Sequence, residues 1–270
     1  MSLFYFNSTR LMDMADRLAP EYRAASPFPH VVIDDFLPGA VIDEVLGEFP
    51  APEALDWVQY NGSAEKKLAS RDESQLGPVT RHTLQQFNSS AFCVFLERLT
   101  GIDGVVPDPH FWGGGLHQIE RGGFLKVHSD FNWYGKLKLD RRLNVLLYLN
   151  RDWEEAFGGH LELWSSDMSR CERRVLPIAN RCVIFSTGNS SFHGHPEPLA
   201  CPEGQTRKSL ALYYYSNGRS EGERTWSTGF RRRPGEQFDT GESSSRVREA
   251  LRRLTPPIIL DWLRSGERER

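Results

Sequence analysis

Residues 142–150 read RLNVLLYLN, a short apolar run closed by an asparagine. Six further segments of the same character stand between residues 110 and 216: GGLHQIE (114–120), GFLKVHSD (123–130), GGHLELW (158–164), RRVLPI (173–178), RCVIFST (181–187) and KSLALYYYS (208–216). Gly, Asn, Asp or Pro separates them, and no helical period intervenes, so each reads as a strand. Seven consecutive strands with no helix between them predict an antiparallel sandwich or barrel, making the protein α+β with a mainly β core.

Upstream, the pattern is helical. Leu11, Met14, Ala15 and Leu18 recur at helix spacing, and a Pro-rich break at SPFPH (26–30) leads into a strand-like VVIDDFL (31–37). Val41, Ile42, Val45, Leu46 and Phe49 predict a second helix over 39–49, and SSAFCVFLERLTGI (89–102) a third, capped by Ser89 or Ser90. Residues 51–80 mix Gly, Pro and polar residues without period and read as a long surface excursion. The expected organisation is residues 1–104 as supporting helices and strands of the same domain, 105–216 as the β core, and 217–270 as a polar, Arg-rich extension. In that extension REALRRL (248–254) and PPIILDWLRS (256–265) read as short helices, and Arg231–Arg233 as a solvated surface run.

Thirty-three basic against 36 acidic residues leave a formal charge of −3, so nothing in the balance steers the chain to nucleic acid. No run of eighteen apolar residues is present, which predicts no membrane span. The N-terminal stretch lacks the basic region of a signal peptide, and Cys93, Cys171, Cys182 and Cys201 have no C-x-x-C spacing; free thiols and a cytoplasmic protein are expected. The sequence carries no signal for an oligomeric state.

Chemistry enters with GFLKVHSD. On a strand, His128 and Asp130 leave the same face, giving an imidazole and a carboxylate side by side. SFHGHP (191–196) adds His193 and His195 after a later strand. Two histidines and one carboxylate on one side of an ion, with the other side open, is the arrangement of non-haem Fe(II) oxygenases. Taken alone, H-x-D is more often a surface pair. In TRKSLALYYY (206–215), Arg207 and Ser209 share a strand face, and a buried guanidinium there would need an anion that the neighbouring sequence does not supply. A ligand carboxylate would satisfy it; two solvated cations at a strand start, Arg207 and Lys208, are the plainer reading. Asn144 and Tyr148 share one face of 142–150 and could meet the same ligand.

Residues 105–216 resemble the Fe(II)/2-oxoglutarate-dependent dioxygenases, specifically their prolyl-hydroxylase-like branch. GGFLKVHSD, RLNVLLYLNRDW followed by GGHLELW, RCVIFST leading to SSFHGHPEPL, and GQTRKSLALYYY occur in the family's order and spacing. The resemblance implies a double-stranded β-helix, a cupin-like jelly-roll with helices supporting one side. It implies His128, Asp130 and His193 as Fe(II) ligands, Arg207 as the partner of the distal carboxylate of 2-oxoglutarate, and Tyr148 as a second contact to that carboxylate. Asn144 and Ser209 join the cosubstrate site by facing. His193, which precedes Gly-x-Pro, is the preferred ligand and His195 a loop residue; His160 and His117 are expected near the site, and Gln118 stands where some relatives carry a cosubstrate-contacting tyrosine.

The implied activity is hydroxylation of an unactivated C–H bond with O2, releasing succinate and CO2, with ascorbate as accompanying reductant. A prolyl or other amino-acid residue in a peptide or protein is the expected substrate, with a free or carrier-bound amino acid or natural product as the alternative, and a non-catalytic metal-binding jelly-roll behind both. Selectivity would come from the loops at 56–82 and 131–140 (FNWYGKLKLD), where Trp133, Tyr134, Lys136 and Lys138 form either a substrate wall or a solvated loop.

Overall fold

The computed structural model describes residues 4–219 and 227–240. In chain order the elements are α1 (Ser8–Ala24), β1 (His30–Ile33), α2 (Gly39–Gly47), β2 (Val58–Asn61), β3 (Glu65–Ala69), α3 (Pro78–Phe87), α4 (Ser90–Thr100), β4 (Val106–Pro107), β5 (Gly115–Ile119), β6 (Phe124–Ser129) and β7 (Trp133–Tyr134). They continue with β8 (Leu139–Tyr148), β9 (Leu161–Trp164), β10 (Cys171–Val175), β11 (Cys182–Ser186), β12 (His193–His195), β13 (Arg207–Ser216) and β14 (Gly229–Phe230). The strands order as β1-β11-β8-β13-β5-β3-β6-β12-β9-β10, antiparallel throughout, so that β3 joins a larger layer to a smaller one. This nearly closed antiparallel barrel is the double-stranded β-helix, and all seven segments read from the sequence are strands in it.

Alternation along β8 explains how one strand serves both core and site. Leu143, Val145 and Leu147 face out, where they meet Cys182 and Ile184 of β11, Leu210 and Leu212 of β13, and the helices. Asn144, Leu146 and Tyr148 face in, toward Leu161 and Leu163 of β9. Helix α4 starts at Ser89, whose hydroxyl accepts from the Phe92 N–H, and stops at Gly101, which takes the left-handed conformation (φ 76°) that favours glycine. Its buried face, Phe92, Phe95, Leu96 and Leu99, closes the outer core.

Phe92 is the hub of that core: its ring meets those of Phe6, Phe36, Phe87, Phe95 and Tyr214 at centroid separations of 4.9–6.1 Å. Phe92→Ala is expected to cost about 3–5 kcal/mol of unfolding free energy. Urea denaturation checks it, and a loss under about 1 kcal/mol would mean that this cluster does not hold the helices to the sheet.

Two segments depart from the sequence reading. Residues 51–80 are not a structureless excursion: they hold the hairpin β2–β3 and the start of α3. The β2–β3 pair is only half-buried, with polar residues on both faces, so a hydrophobic period is absent although the ladder forms against β5 and β6. Residues 193–195 are a short strand between β6 and β9 rather than a turn. The helices expected at 248–254 and 256–265 lie outside the described residues. Among the described residues no helix is long and apolar enough to cross a membrane, and all four cysteines are free thiols.

Candidate active site

Strands β6 and β12 bring the expected ligands together. His193 lies opposite His128 in the ladder, and their rings are 4.5 Å apart. Asp130 follows β6 directly, with its Oδ1 3.6 Å from His128 Nε2 and its Oδ2 3.4 Å from His193 Nε2. One ligand atom from each of the three buried residues falls within 4.8 Å of the others, a spacing that could hold one metal ion.

Local bonds aim the rings. His128 Nδ1 lies 2.9 Å from the Lys126 carbonyl oxygen and His193 Nδ1 2.9 Å from that of Ser191. Each carbonyl can accept only from an N–H, so both Nδ1 atoms carry the proton and both Nε2 lone pairs face Asp130. Burial first, then the neighbouring His128, pushes His193 down to about 4, which keeps it neutral and able to donate its lone pair.

Around Asp130 the sequence reading missed one residue and misplaced another. Burial pushes this carboxyl up, but Arg141, His193 and His128 outweigh it and hold it well below the usual carboxylate range. Arg141, 1% exposed, reaches Asp130 Oδ2 at 3.0 Å and lies over the rings of Phe131 and Tyr213. Strict alternation would turn Arg141 outward with Leu143. A bulge opposite Tyr214 and Tyr215 re-aims it inward, and a two-residue period cannot foresee that. Asn144 was expected beside the ligand of Arg207; instead its Nδ2 donates to Asp130 Oδ2 at 2.7 Å while its Oδ1 accepts from Arg141. The carboxylate captures the amide because both lie at the same end of the cavity.

Arg207 sits at the other end, 5% exposed. Its Nε donates to the Gly159 carbonyl at 2.8 Å, and one terminal nitrogen donates to the Tyr148 hydroxyl at 3.3 Å. Among the described residues no carboxylate pairs with it. A Cβ on Gly159 would stand 2.6 Å from Leu199 Cδ2 and 3.0 Å from Arg207 Cδ, and φ there is +70°, so glycine is required for the guanidinium to lie where it does. Ser209 is buried on the same wall, as facing predicts.

The remaining histidines sort differently from expectation. His195 is no loop residue: it belongs to β12 and lines the cavity. His117 and Ile119 face the cavity and Gln118 does not, since Gln118 donates to Thr206 on the opposite face. His160 is not on the cavity wall but binds Glu155 and Arg174 at the head of β9. Lys67, from the hairpin read as an excursion, lines the cavity as well.

Near the cavity, loop 131–140 splits: Trp133 is partly exposed, whereas Tyr134 is buried in a parallel stack with Trp112 at 5.0 Å. Trp112, 50% exposed, also meets Phe131, and Phe131 meets Tyr213, so an aromatic path runs from the surface to Arg141.

The extension is not a merely solvated tail. Its β14 pairs with β6, placing the Phe230 ring 5.6 Å from His128, and the Arg231 N–H donates to the Val127 carbonyl. Arg233 binds Glu197 and Glu236, and Glu236 binds Lys126 at 2.7 Å. Burial pushes Glu236 up, yet Arg233 and Lys126 bring it down to about 2. A depressed carboxylate stabilises docking above its unpaired pKa and loses that contribution as pH falls toward 2. Glu236→Gln is therefore expected to lower the hydrogen-exchange protection factor of the Arg231 amide roughly fivefold at neutral pH, and acid below about pH 4 to lower it likewise in the wild type. Unchanged protection in the variant would mean that β14 is held by its ladder alone.

Comparison with known proteins agrees with this architecture. The 2OG-Fe(II) oxygenase superfamily model matches residues 114–215, the stretch that runs from β5 through β13. Residues 114–215 are thus similar to a 2OG-Fe(II) oxygenase domain. Fe(II) and 2-oxoglutarate are the metal and cosubstrate that this family's description names. A curated relative, mouse prolyl 3-hydroxylase OGFOD1, is 25% identical over 199 residues, covering 70% of this chain; the chain spans only 33% of that protein's length. Among solved structures, a Pseudomonas putida prolyl-4-hydroxylase superposes with a TM-score of 0.54 at 18% identity, over 77% of this chain and all of that one. A Trichoplax adhaerens prolyl hydroxylase, solved with a hypoxia-inducible-factor peptide fragment, gives 0.54 at 16% identity over 77% and 91% of the two chains. The oxygenase fold is therefore prolyl-hydroxylase-like.

Proposed function

We propose that this oxygenase hydroxylates an unactivated C–H bond of a prolyl or other amino-acid residue in a peptide or protein, with His128, Asp130 and His193 holding Fe(II). The overall balance is R–H plus O2 plus 2-oxoglutarate giving R–OH, succinate and CO2, one oxygen atom entering each organic product. The observation that carries the reading is a buried two-histidine, one-carboxylate cluster sharing its cavity with a buried guanidinium that lacks a carboxylate partner.

The residues fit the absent groups. Two imidazoles and one carboxylate suit a ferrous ion and would fill only three of its positions. When bound, that ion supplies the open positions at which O2 and 2-oxoglutarate meet and through which electrons pass. The protein's own part is geometric and electrostatic. Arg207 and Tyr148 offer donors to the far carboxylate of the cosubstrate, while Arg141 and Asn144 hold the Asp130 carboxylate in one orientation. Leu146 and Leu161 line the wall between the two ends and exclude water.

A peptide substrate is supported by the prolyl hydroxylases among the relatives and by the exposed aromatic path from Trp112, on which a prolyl ring can lie. The test incubates the protein with Fe(II), ascorbate, O2 and 2-oxoglutarate, with and without proline-containing peptides or free amino acids, and follows succinate together with a one-oxygen mass gain. Coupled succinate and oxygenated peptide are expected; oxygenation of free amino acids only would replace the peptide reading with the small-molecule one. No succinate under any condition would leave a metal-binding jelly-roll.

A further inference from the structure

His195 is a buried histidine of the cavity wall that neither the metal cluster nor the cosubstrate assignment uses. It is 4% exposed, and among the described residues neither ring nitrogen has a hydrogen-bond partner. Leaving both nitrogens of an imidazole dry and unpaired costs a few kcal/mol, so the position calls for a ligand.

The backbone explains why the ring points inward. His193 and His195 stand two apart on β12, so both leave the same face and turn into the cavity, and the register shift that sets His195 opposite Leu125 takes up its extra residue in β6. Gly194 makes that seat possible: a Cβ there would stand 2.8 Å from the Leu125 carbonyl oxygen and 2.9 Å from that of Lys126. His195 is not part of the group of three whose ligand atoms converge. The cavity it enters also holds Arg207 and Lys67, and an imidazole carries an N–H in either tautomer, which among the described residues meets no acceptor.

We propose that His195 donates its N–H to the same carboxylate that Arg207 holds, making it a second anchor for the far end of a five-carbon 2-oxo diacid. The inference rests on the cosubstrate reading given above. A carboxylate has about four lone-pair sites, and Arg207, with Nε spent on Gly159 and one terminal nitrogen shared with Tyr148, covers only one edge of it. His195 takes a site on the other edge.

Calorimetric titration of the protein loaded with Mn(II), which is redox-silent here, tests this without turnover. The ligands are 2-oxoglutarate and 2-oxobutyrate, which has the same chelating head and no far carboxylate; the variants are His195→Leu and His195→Gln. For His195→Leu, 2-oxoglutarate should bind about tenfold more weakly while 2-oxobutyrate is unchanged, the loss expected for one hydrogen bond to a charged group. His195→Gln, which keeps an N–H donor, should stay within about threefold of the wild type. Equal weakening for both ligands, no weakening, or the same loss in the glutamine variant would overturn the proposal. Loss of Mn(II) itself in His195→Leu would overturn it too, by making His195 a ligand. If the wild-type protein binds Mn(II) but not 2-oxoglutarate, the cosubstrate reading fails and takes this one with it; if the wild type binds and the variants match it, only the role of His195 fails.

Discussion

Removing the His128 side chain is expected to abolish Fe(II)-dependent conversion of 2-oxoglutarate and leave the fold intact, whereas removing Asp130 should damage both. The two variants strike the same three-residue cluster but differ in what they leave behind. His128 makes one bond to a backbone carbonyl and stands beside Asp130; its truncation strands no charge. Asp130 is the carboxylate partner of Arg141, which is almost fully buried and, among the described residues, also meets Asn144 and the rings of Phe131 and Tyr213. Breaking a buried pair from one side costs about 3–5 kcal/mol, because the remaining charge cannot reach water. For a chain of this size that is a fall in Tm of roughly 10 °C. Metal affinity should drop in both variants by more than the roughly 10- to 100-fold typical of losing an outer-shell partner. Equilibrium dialysis with Fe(II) or Mn(II) and a thermal melt on the same samples separate the effects. Undiminished metal binding in His128→Ala would show that the cluster is misassigned, and an unchanged melt in Asp130→Ala would show that Arg141 finds another counter-charge. Asp130→Asn, which keeps a hydrogen-bond acceptor for Arg141, should recover part of the melt and none of the metal.

How far the sequence could foresee this follows from the period-two rule and its exceptions. Where a strand is regular, facing is legible: Arg207 and Ser209 on β13, and Tyr148 on β8, line or adjoin the cavity because they fall on the inward step. Where a ladder slips, facing is lost. The extra residue in β8, Arg142, opposite the Tyr214–Tyr215 step, turns Arg141 inward against the period, whereas His195 obeys it, two residues after His193 on β12, and stays hidden because its segment reads as a loop. Asn144 falls on the inward face as read, and its amide also meets Asp130 and Arg141, since facing fixes direction but not which protein groups a side chain meets. The hairpin at 58–69 stayed hidden because β2 alternates over only four residues and β3 opens on the charged run Glu65–Lys67, and with it went Lys67. Arg231–Arg233 reads as a solvated run because the acids that bind Arg233, Glu197 and Glu236, come from a distant loop and from past a Pro-Gly turn.

Arg207→Leu should weaken 2-oxoglutarate binding by roughly 10- to 150-fold and at the same time leave the cosubstrate-free protein as stable as the wild type or more so. The first half follows from the value of hydrogen bonds to a charged group, about 1.5–3 kcal/mol, at a position where the guanidinium is fixed by Gly159 and Tyr148 before the ligand arrives. The second half follows from the same burial read the other way. With no carboxylate partner among the described residues, Arg207 carries a desolvation cost that only two neutral oxygens offset, and apolar replacements of buried charges are commonly neutral or stabilising by about 1–4 kcal/mol. Opposite signs on stability and affinity are what distinguish a side chain retained for a ligand from one retained for the fold. Arg207→Lys gives a finer discrimination: it restores charge but not the planar fork, so it should recover only part of the affinity. An apparent KM for 2-oxoglutarate unchanged in Arg207→Leu would move the carboxylate anchor elsewhere. A variant that melts well below the wild type while binding 2-oxoglutarate normally would make Arg207 a structural residue, and the cavity would then have to be read without a diacid in it.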